Sequence, residues 1–233
     1  MNFGFDGRVF EHKIVTGVER FSQLTLNELN KISEIKVYSP PQTSNRYLDH
    51  LWTYTGLPIQ CTLDGVDALY CPASSAPFNL SHKIGLVVTI HDISYLRFPE
   101  HYSRSFAAYY KFVLPHIIKR ADAITTVSNV ELKNIVEHFP EASTKISVVY
   151  PGISEKFLNL GLERAPIILA VGSINKHKNL TTLVKAFSRS LEYIPHKLII
   201  VGGKRDIISS DSELHAAINC VPSDRIEIMG HIP

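Results

Sequence analysis

Apolar and polar positions along this chain follow two rhythms that trade places repeatedly. Asn2 to Phe5, Ile35 to Tyr38, Val66 to Cys71 and Leu86 to Ile90 read as short buried strands. Val18, Phe21, Leu24, Leu26, Leu29 and Ile32 form a helical stripe between the first two. Ser39 to Gly65, rich in Pro, Thr and Asn, is predicted as loop. Tyr102 to Arg120 is predicted helical, with Phe106, Tyr110, Val113 and Ile117 on one face. Pro115 is expected to kink it, because proline lacks a donor and clashes with the preceding turn. Ala123 to Val127 is a strand, Ser128 caps a helix over Asn129 to His138 with Glu131 completing a capping box, and Ile146 to Tyr150 is a further strand.

Periodicity then lapses across Pro151-Gly152, Asn159-Leu160-Gly161 and Pro166. Beyond it come a strand (Ile167 to Val171), a helix (Leu180 to Tyr193), a strand (Lys197 to Val201), a helix (Ser212 to Cys220) and a strand (Arg225 to Met229). Such alternation predicts an α/β fold with parallel sheets. Residues 1–152 form one Rossmann-like domain, 153–165 a linker, and 166–233 the first part of a second Rossmann-like domain.

Composition narrows the function classes. With 45% hydrophobic and 20% charged residues the chain is ordinary globular protein, and a net charge of +2 gives no footprint for nucleic acid. Three cysteines without a CxxC pair indicate neither a disulfide framework nor zinc, and the histidines show no metal-ligand spacing. A cytoplasmic location is the default. The N-terminus lacks a signal-peptide pattern, and no window approaches eighteen consecutive apolar residues.

Candidate chemistry lies where strands break into polar loops. In Thr16-Gly17-Val18-Glu19-Arg20-Phe21, Gly17 lets backbone approach a ligand at a helix N-terminus; an ordinary strand-to-helix turn is the plainer reading of those residues alone. His91-Asp92 follows a buried strand, where the imidazole can donate to a sugar hydroxyl or phosphate oxygen and the carboxylate can orient the loop. A loop histidine capped by its neighbour is the alternative. Ser128 explains itself as a helix cap. In Gly172-Ser173-Ile-Asn-Lys176-His177-Lys178-Asn179, a lysine meets helix N–H groups, a natural diphosphate site, or else the basic run is a solvated helix face. Gly202-Gly203 suits a close backbone approach and equally any tight turn.

These segments together resemble family-4 glycosyltransferases of the GT-B fold, near the bacterial mannosyltransferases of cell-surface polysaccharide synthesis. Gly17, Arg20 and Phe21 match the family's G-[IV]-x-R-[YF] loop; TIHDISYLRFPE is similar to its strand–HD–x5–P segment; VGSINKHKNL is similar to its VG[RT]-x-x-x-[RK]-K-[GN]-[LM] signature. The resemblance implies that His91 contacts the reacting sugar and that Gly17, Gly172, Ser173 and Lys178 hold the donor. Arg20, Asp92 and Ser128 then have acceptor or supporting roles. Ser173 and His177 stand where many members carry Arg. The implied reaction moves a hexose from a GDP- or UDP-sugar to a saccharide or lipid-linked acceptor, as in lipopolysaccharide synthesis, with retention and without a metal or other cofactor. A lipid-linked acceptor would bring the inner face of the membrane into play, with Arg104, Tyr109, Lys111, Lys119 and Arg120 as contacts.

The resemblance also places a segment with two glutamates separated by seven residues, and the rest of a C-terminal domain, beyond Pro233. The chain is therefore expected to be a C-terminally truncated member, inactive or partner-dependent. Two alternatives are a non-catalytic half that associates with a separate C-terminal half, and another nucleotide-binding doubly wound enzyme. The last would need a GxGxxG after the first strand, which residues 6–20 do not supply.

Overall fold

A computed structural model describes residues 1–11, 16–41, 46–153, 157, 161, 163–175, 178–203, 211–230 and 232. The chain divides into two compact units, Met1–Phe157 and Leu158–Pro233. Of the expected linker 153–165, residues 154–156, 158–160 and 162 lie outside the described set.

The first unit is a parallel sheet of six strands: β1 (Phe3–Asp6), β2 (Ile35–Tyr38), β3 (Ala68–Cys71), β4 (Gly85–Ile90), β5 (Ala123–Thr126) and β6 (Ile146–Val148). Their spatial order is β2-β1-β3-β4-β5-β6. The chain steps outward from β1 to β2, then returns past β1 to build the other side. The order therefore reverses between β1 and β3, and the strand-end loops on either side diverge there, opening a crevice. Leu69, Leu86, Val88, Ile90 and Ile124 are fully buried in the sheet. They join one core with Leu114, Ile117 and Ile118 of α5 (Arg104–Arg120) and Ile135 of α6 (Asn129–His138), as expected for a parallel sheet covered by helices.

Helix α1 (Gly17–Leu29) fills the first predicted stripe. The predicted loop over Ser39 to Gly65 is different: it contains α2 (Arg46–Tyr54) and α3 (Gly56–Leu63). Its residues contradict helix only in composition. Pro58 falls in the first turn of α3, where a missing N–H costs nothing. Thr55 and Thr62 turn their hydroxyls back onto the carbonyls of Leu51 and Pro58, at 3.0 and 2.8 Å. Burial of Trp52, Leu57 and Cys61 then outweighs weak propensity. Pro115 does not end α5, which runs on to Arg120.

Arg120 is no surface contact. It is 7% exposed and donates Nε to Leu80 O (3.0 Å), Nη2 to Ser81 O and Ile84 O (both 2.7 Å) and Nη1 to Asp122 (3.0 Å). Asp122 also receives the Leu86 N–H at 2.7 Å, so the end of α5 is fastened to the start of β4. Burial alone would raise the Asp122 carboxyl; the Leu86 N–H and Arg120 nevertheless hold it below its ordinary range. Tyr109 likewise turns inward, to the Tyr54 hydroxyl at 2.7 Å. Arg104, Lys111 and Lys119 are exposed.

The second unit is a parallel sheet in the order β7 (Ile167–Val171), β8 (Lys197–Val201), β9 (Ile226–Gly230). Helices α7 (Leu180–Ser190) and α8 (Ser212–Asn219) supply Val184, Phe187, Leu214 and Ala217, which pack with Leu198 and Ile200. Along β7 the alternate residues Ile167, Leu169 and Val171 are 44, 60 and 74% exposed. A sheet with one apolar row in water holds its strands less firmly. Hydrogen–deuterium exchange is therefore expected to be faster in the strand amides of residues 166–233 than in those of residues 1–150. Equal protection of both sheets would contradict this.

Candidate functional site

Parallel strands deliver their C-terminal ends to one edge of the sheet, and the described candidates of the first unit gather there. His91 is the first residue after β4. Its Nε2 lies 2.7 Å from Pro72 O, just beyond β3. A carbonyl only accepts, so Nε2 carries the proton and Nδ1 of the neutral ring is an acceptor. The nitrogen that could donate is thus engaged by the fold, and the other one of the neutral ring can only accept. The His91 N–H donates to Ser74 Oγ (3.0 Å), and Ser74, with φ of +36°, donates its own N–H to Thr89 O (2.8 Å). A non-glycine residue with that φ is uncommon and marks a loop held by its surroundings. The Phe21 ring meets the imidazole edge-on, with centroids 4.9 Å apart.

The neighbours of His91 are spoken for. Asp92 Oδ1 accepts the Ser94 N–H (2.9 Å) at the start of the short helix α4 (Ser94–Arg97), so its carboxylate braces the loop. Ser128 Oγ accepts the Glu131 N–H (3.1 Å), the predicted cap. Glu131 does not close the predicted box. Its carboxylate goes instead to the Ile93 N–H (3.3 Å) and to Asn134 Nδ2 (3.0 Å), tying α6 to the His91 loop. The reciprocal cap sits at α1, where Glu19 accepts the Thr16 N–H (2.7 Å) and the Thr16 hydroxyl. Glu19 is buried there, a feature the composition of the loop gave no cause to single out.

Two cavities open at this edge, and His91 lines both. One, about 420 Å³, is bordered by Gly17, Arg20, Phe21 and His91. A Cβ at Gly17 would meet nothing within 4 Å, so the glycine leaves open space rather than relieving a clash. The other, about 250 Å³, holds Arg8, His50, Asp92 and a wall of Tyr95, Tyr102, Phe106 and Tyr110. Ser128 borders neither among the described residues. Arg8 and His50 were not candidates by sequence, because nothing in their neighbourhood repeats a motif.

In the second unit, glycines crowd the strand ends. The Gly172 N–H donates to Val201 O (2.9 Å), and the Gly202 N–H donates to Gly230 O (2.6 Å). With φ of +118°, Gly202 packs so close to Gly172 that a Cβ there would overlap the Gly172 carbonyl. Ser173 is exposed, its Oγ accepting from Asn175 Nδ2 at 2.9 Å. Lys178 is exposed and stands two residues before α7, whose cap Asn179 is left-handed (φ +50°). It therefore precedes the helix start it was expected to occupy. Lys176 and His177 lie outside the described residues.

The sequence pattern of Glycosyltransferase Family 4 matches residues 15–157, more than half of the chain. The O-antigen chain mannosyltransferase RfbU of Salmonella typhimurium is 29% identical over 123 residues, 53% of this chain and 34% of its own length. The chain thus aligns with about a third of that relative. Among solved structures, Anabaena Alr3699/HepE in complex with UDP and glucose superposes with a TM-score of 0.66 at 18% identity, covering 100% of this chain and 70% of that one. The apo lipopolysaccharide outer core galactosyltransferase WaaB gives 0.57 at 14%, covering 100% and 68%. At such identities the likeness concerns the fold, which is of the GT-B type.

Burial pushes the His91 imidazole below its ordinary value of 6.5, more than the Pro72 carbonyl and the Asp92 and Glu19 carboxylates raise it. Between that depressed value and 6.5 the unfolded chain binds more protons than the folded one, so stability rises with pH through this window. Urea melts at about pH 5.5 and about pH 7.5 are expected to show lower stability at the acid value, with a smaller difference in His91→Gln. An unchanged difference would place the titration elsewhere.

Proposed function

The chain belongs to glycosyltransferase family 4, and from that premise we propose that it serves the transfer of a hexose, mannose favoured, from a nucleotide-diphosphate sugar to a saccharide or lipid-linked acceptor in surface polysaccharide synthesis. The observation that carries this reading is His91, at the end of β4, lining a cavity with the bare Gly17 inside the stretch that matches the family. The named activity of RfbU supports mannose and O-antigen; the UDP and glucose bound by Anabaena HepE support a nucleotide-sugar donor in this class of fold. GDP- and UDP-sugars are both to be tried.

In the proposed mechanism, charge develops on the leaving diphosphate as the glycosidic bond to the nucleotide breaks. Lys178 and the Ser173 N–H would neutralise that charge, without a metal and with retention at the anomeric carbon. His91 Nδ1 would accept from a hydroxyl of the reacting sugar and hold it in place, while Asp92 and Glu131 keep the His91 loop rigid. We propose that Arg20 and Gly17 border the donor phosphates. The resemblance places a sugar- and ribose-holding glutamate pair beyond Pro233, and we propose that its contacts in the transition state complete the donor site.

Titration of residues 1–233 with UDP and GDP is expected to give weak binding that Lys178→Ala weakens about tenfold, the worth of one charge-assisted contact. Unchanged affinity would remove Lys178 from the site. Gly17→Ala should leave the melting temperature unchanged while lowering nucleotide-sugar binding; a fall in both would make Gly17 structural. Turnover of labelled GDP- or UDP-sugars by residues 1–233 alone is expected to be slight, and robust turnover would show the donor site to be elsewhere.

A further inference from the structure

Helix α5 divides its circumference cleanly. Val113, Leu114, Ile117 and Ile118 are buried in the core of the first unit. Arg104, Lys111, Phe112, His116 and Lys119 recur at helical spacing along one outward arc, and all five are exposed. Two features of that arc stand out. From His101 to Ala121 the chain carries Arg104, Lys111, Lys119 and Arg120 and no Asp or Glu, in a protein whose net charge is only +2. Among the cations stands the Phe112 ring, 64% exposed. Arg104, Lys111 and Lys119 make no ion pair among the described residues. The bonds from Arg120 Nη2 to the Ser81 and Ile84 carbonyls bring the exposed His82 and Lys83 to the C-terminal end of the helix, and residues 68–91 likewise contain no acid. The flanking acids are engaged: Glu100 lies 3.6 Å from His101 Nε2, and Asp122 lies 3.0 Å from Arg120 Nη1.

From this arc we infer that α5 docks the first unit onto an anionic lipid surface, with Arg104, Lys111 and Lys119 at the headgroups and Phe112 entering the interface. Cations alone suit any polyanion. A ring projecting between them gains only where an apolar layer lies beneath the charge, which is the arrangement of a bilayer with anionic headgroups. The long Lys and Arg stems let their charged ends stay at the phosphates while the ring sinks below. The patch is also continuous with the site. Phe112 meets His116 at 4.9 Å between centroids, His116 meets Phe78 at 5.4 Å, and Phe78 meets Tyr54 at 4.9 Å. The Tyr54 hydroxyl bonds that of Tyr109 at 2.7 Å, and Tyr109 meets His50, which lines the 250 Å³ cavity, at 5.3 Å. An unbroken series of rings thus joins the exposed arc to the cavity wall. The docking surface stands on these residues alone. That a lipid-linked acceptor is met there, with its saccharide toward the cavity, deepens the transferase reading and rests on it.

The test is flotation of residues 1–233 with vesicles of phosphatidylcholine alone and of phosphatidylcholine mixed equally with phosphatidylglycerol. Partitioning onto the mixed vesicles is expected to be about tenfold or more the stronger, and to fall as salt screens the headgroups. Lys111→Gln and Lys119→Gln should each lower it about fivefold, the worth of one cation near such a surface. Phe112→Ser should lower it about tenfold at unchanged charge, and Phe112→Trp should preserve it. Lys185→Gln, which removes the same charge from α7, should leave it unchanged. Because all these side chains are exposed, the melting temperature should hold in every variant, and circular dichroism checks the fold. Equal binding to the two kinds of vesicle, or none to either, would overturn the inference. So would an effect of Lys185→Gln as large as that of Lys111→Gln, which would make the attraction one of net charge. Binding that ignores Phe112→Ser would assign the arc to a soluble polyanion and also overturn it. UDP and GDP titrated in parallel keep the two readings apart: loss of nucleotide binding counts against the transferase, loss of vesicle binding only against this surface.

Discussion

The strand order of the first unit is the constraint on which the rest depends. Because all six strands are parallel, every strand end that follows a buried run opens on the same edge, and the reversal between β1 and β3 parts the loops there. Arg8 follows β1, Pro72 and Ser74 follow β3, and His91 follows β4. Arg8, Ser74 and His91, the first and last more than eighty positions apart, thus line one cavity. The aromatic wall comes from α4, α5 and Tyr102 between them, and α5 is anchored in turn by Arg120 on the loop before β4.

Hydrogen bonding divides the edge into braced and open parts. Asp92, Glu131, Ser128 and Ser74 each accept a backbone N–H, and the result is a braced His91 loop. Two arginines of the same unit differ in this respect. Arg120 is buried and structural, bonded to three carbonyls and a carboxylate; Arg8 is half-buried, with its Nε unpartnered. Identical side chains carry opposite meanings, decided by how many of their donors the fold answers.

Most of the architecture was legible from the sequence because buried parallel strands are apolar throughout and the helices between them are striped. The helices over Arg46–Tyr54 and Gly56–Leu63 were not, since their Thr and Pro content imitates loop while tertiary burial of Trp52 and Leu57 supplies the stability. Candidate residues could be picked out where a short motif carries them, as at Gly17, His91 and Gly172. Arg8, His50, Ser74 and Tyr95 owe their place to strand order and side-chain direction, which no local pattern encodes. Glu131 shows the intermediate case: its capping position was readable, but its partner, Ile93, belongs to another loop.

The Pro72 carbonyl fixes more than the pose of an imidazole. By holding the ring proton on Nε2, it leaves Nδ1 of the neutral ring a group that can only accept. Under the proposed function, a sugar whose hydroxyl is replaced by fluorine would nearly keep its size yet offer nothing this nitrogen can accept. The backbone of one strand end would thereby set a chemical filter on a ligand it never touches.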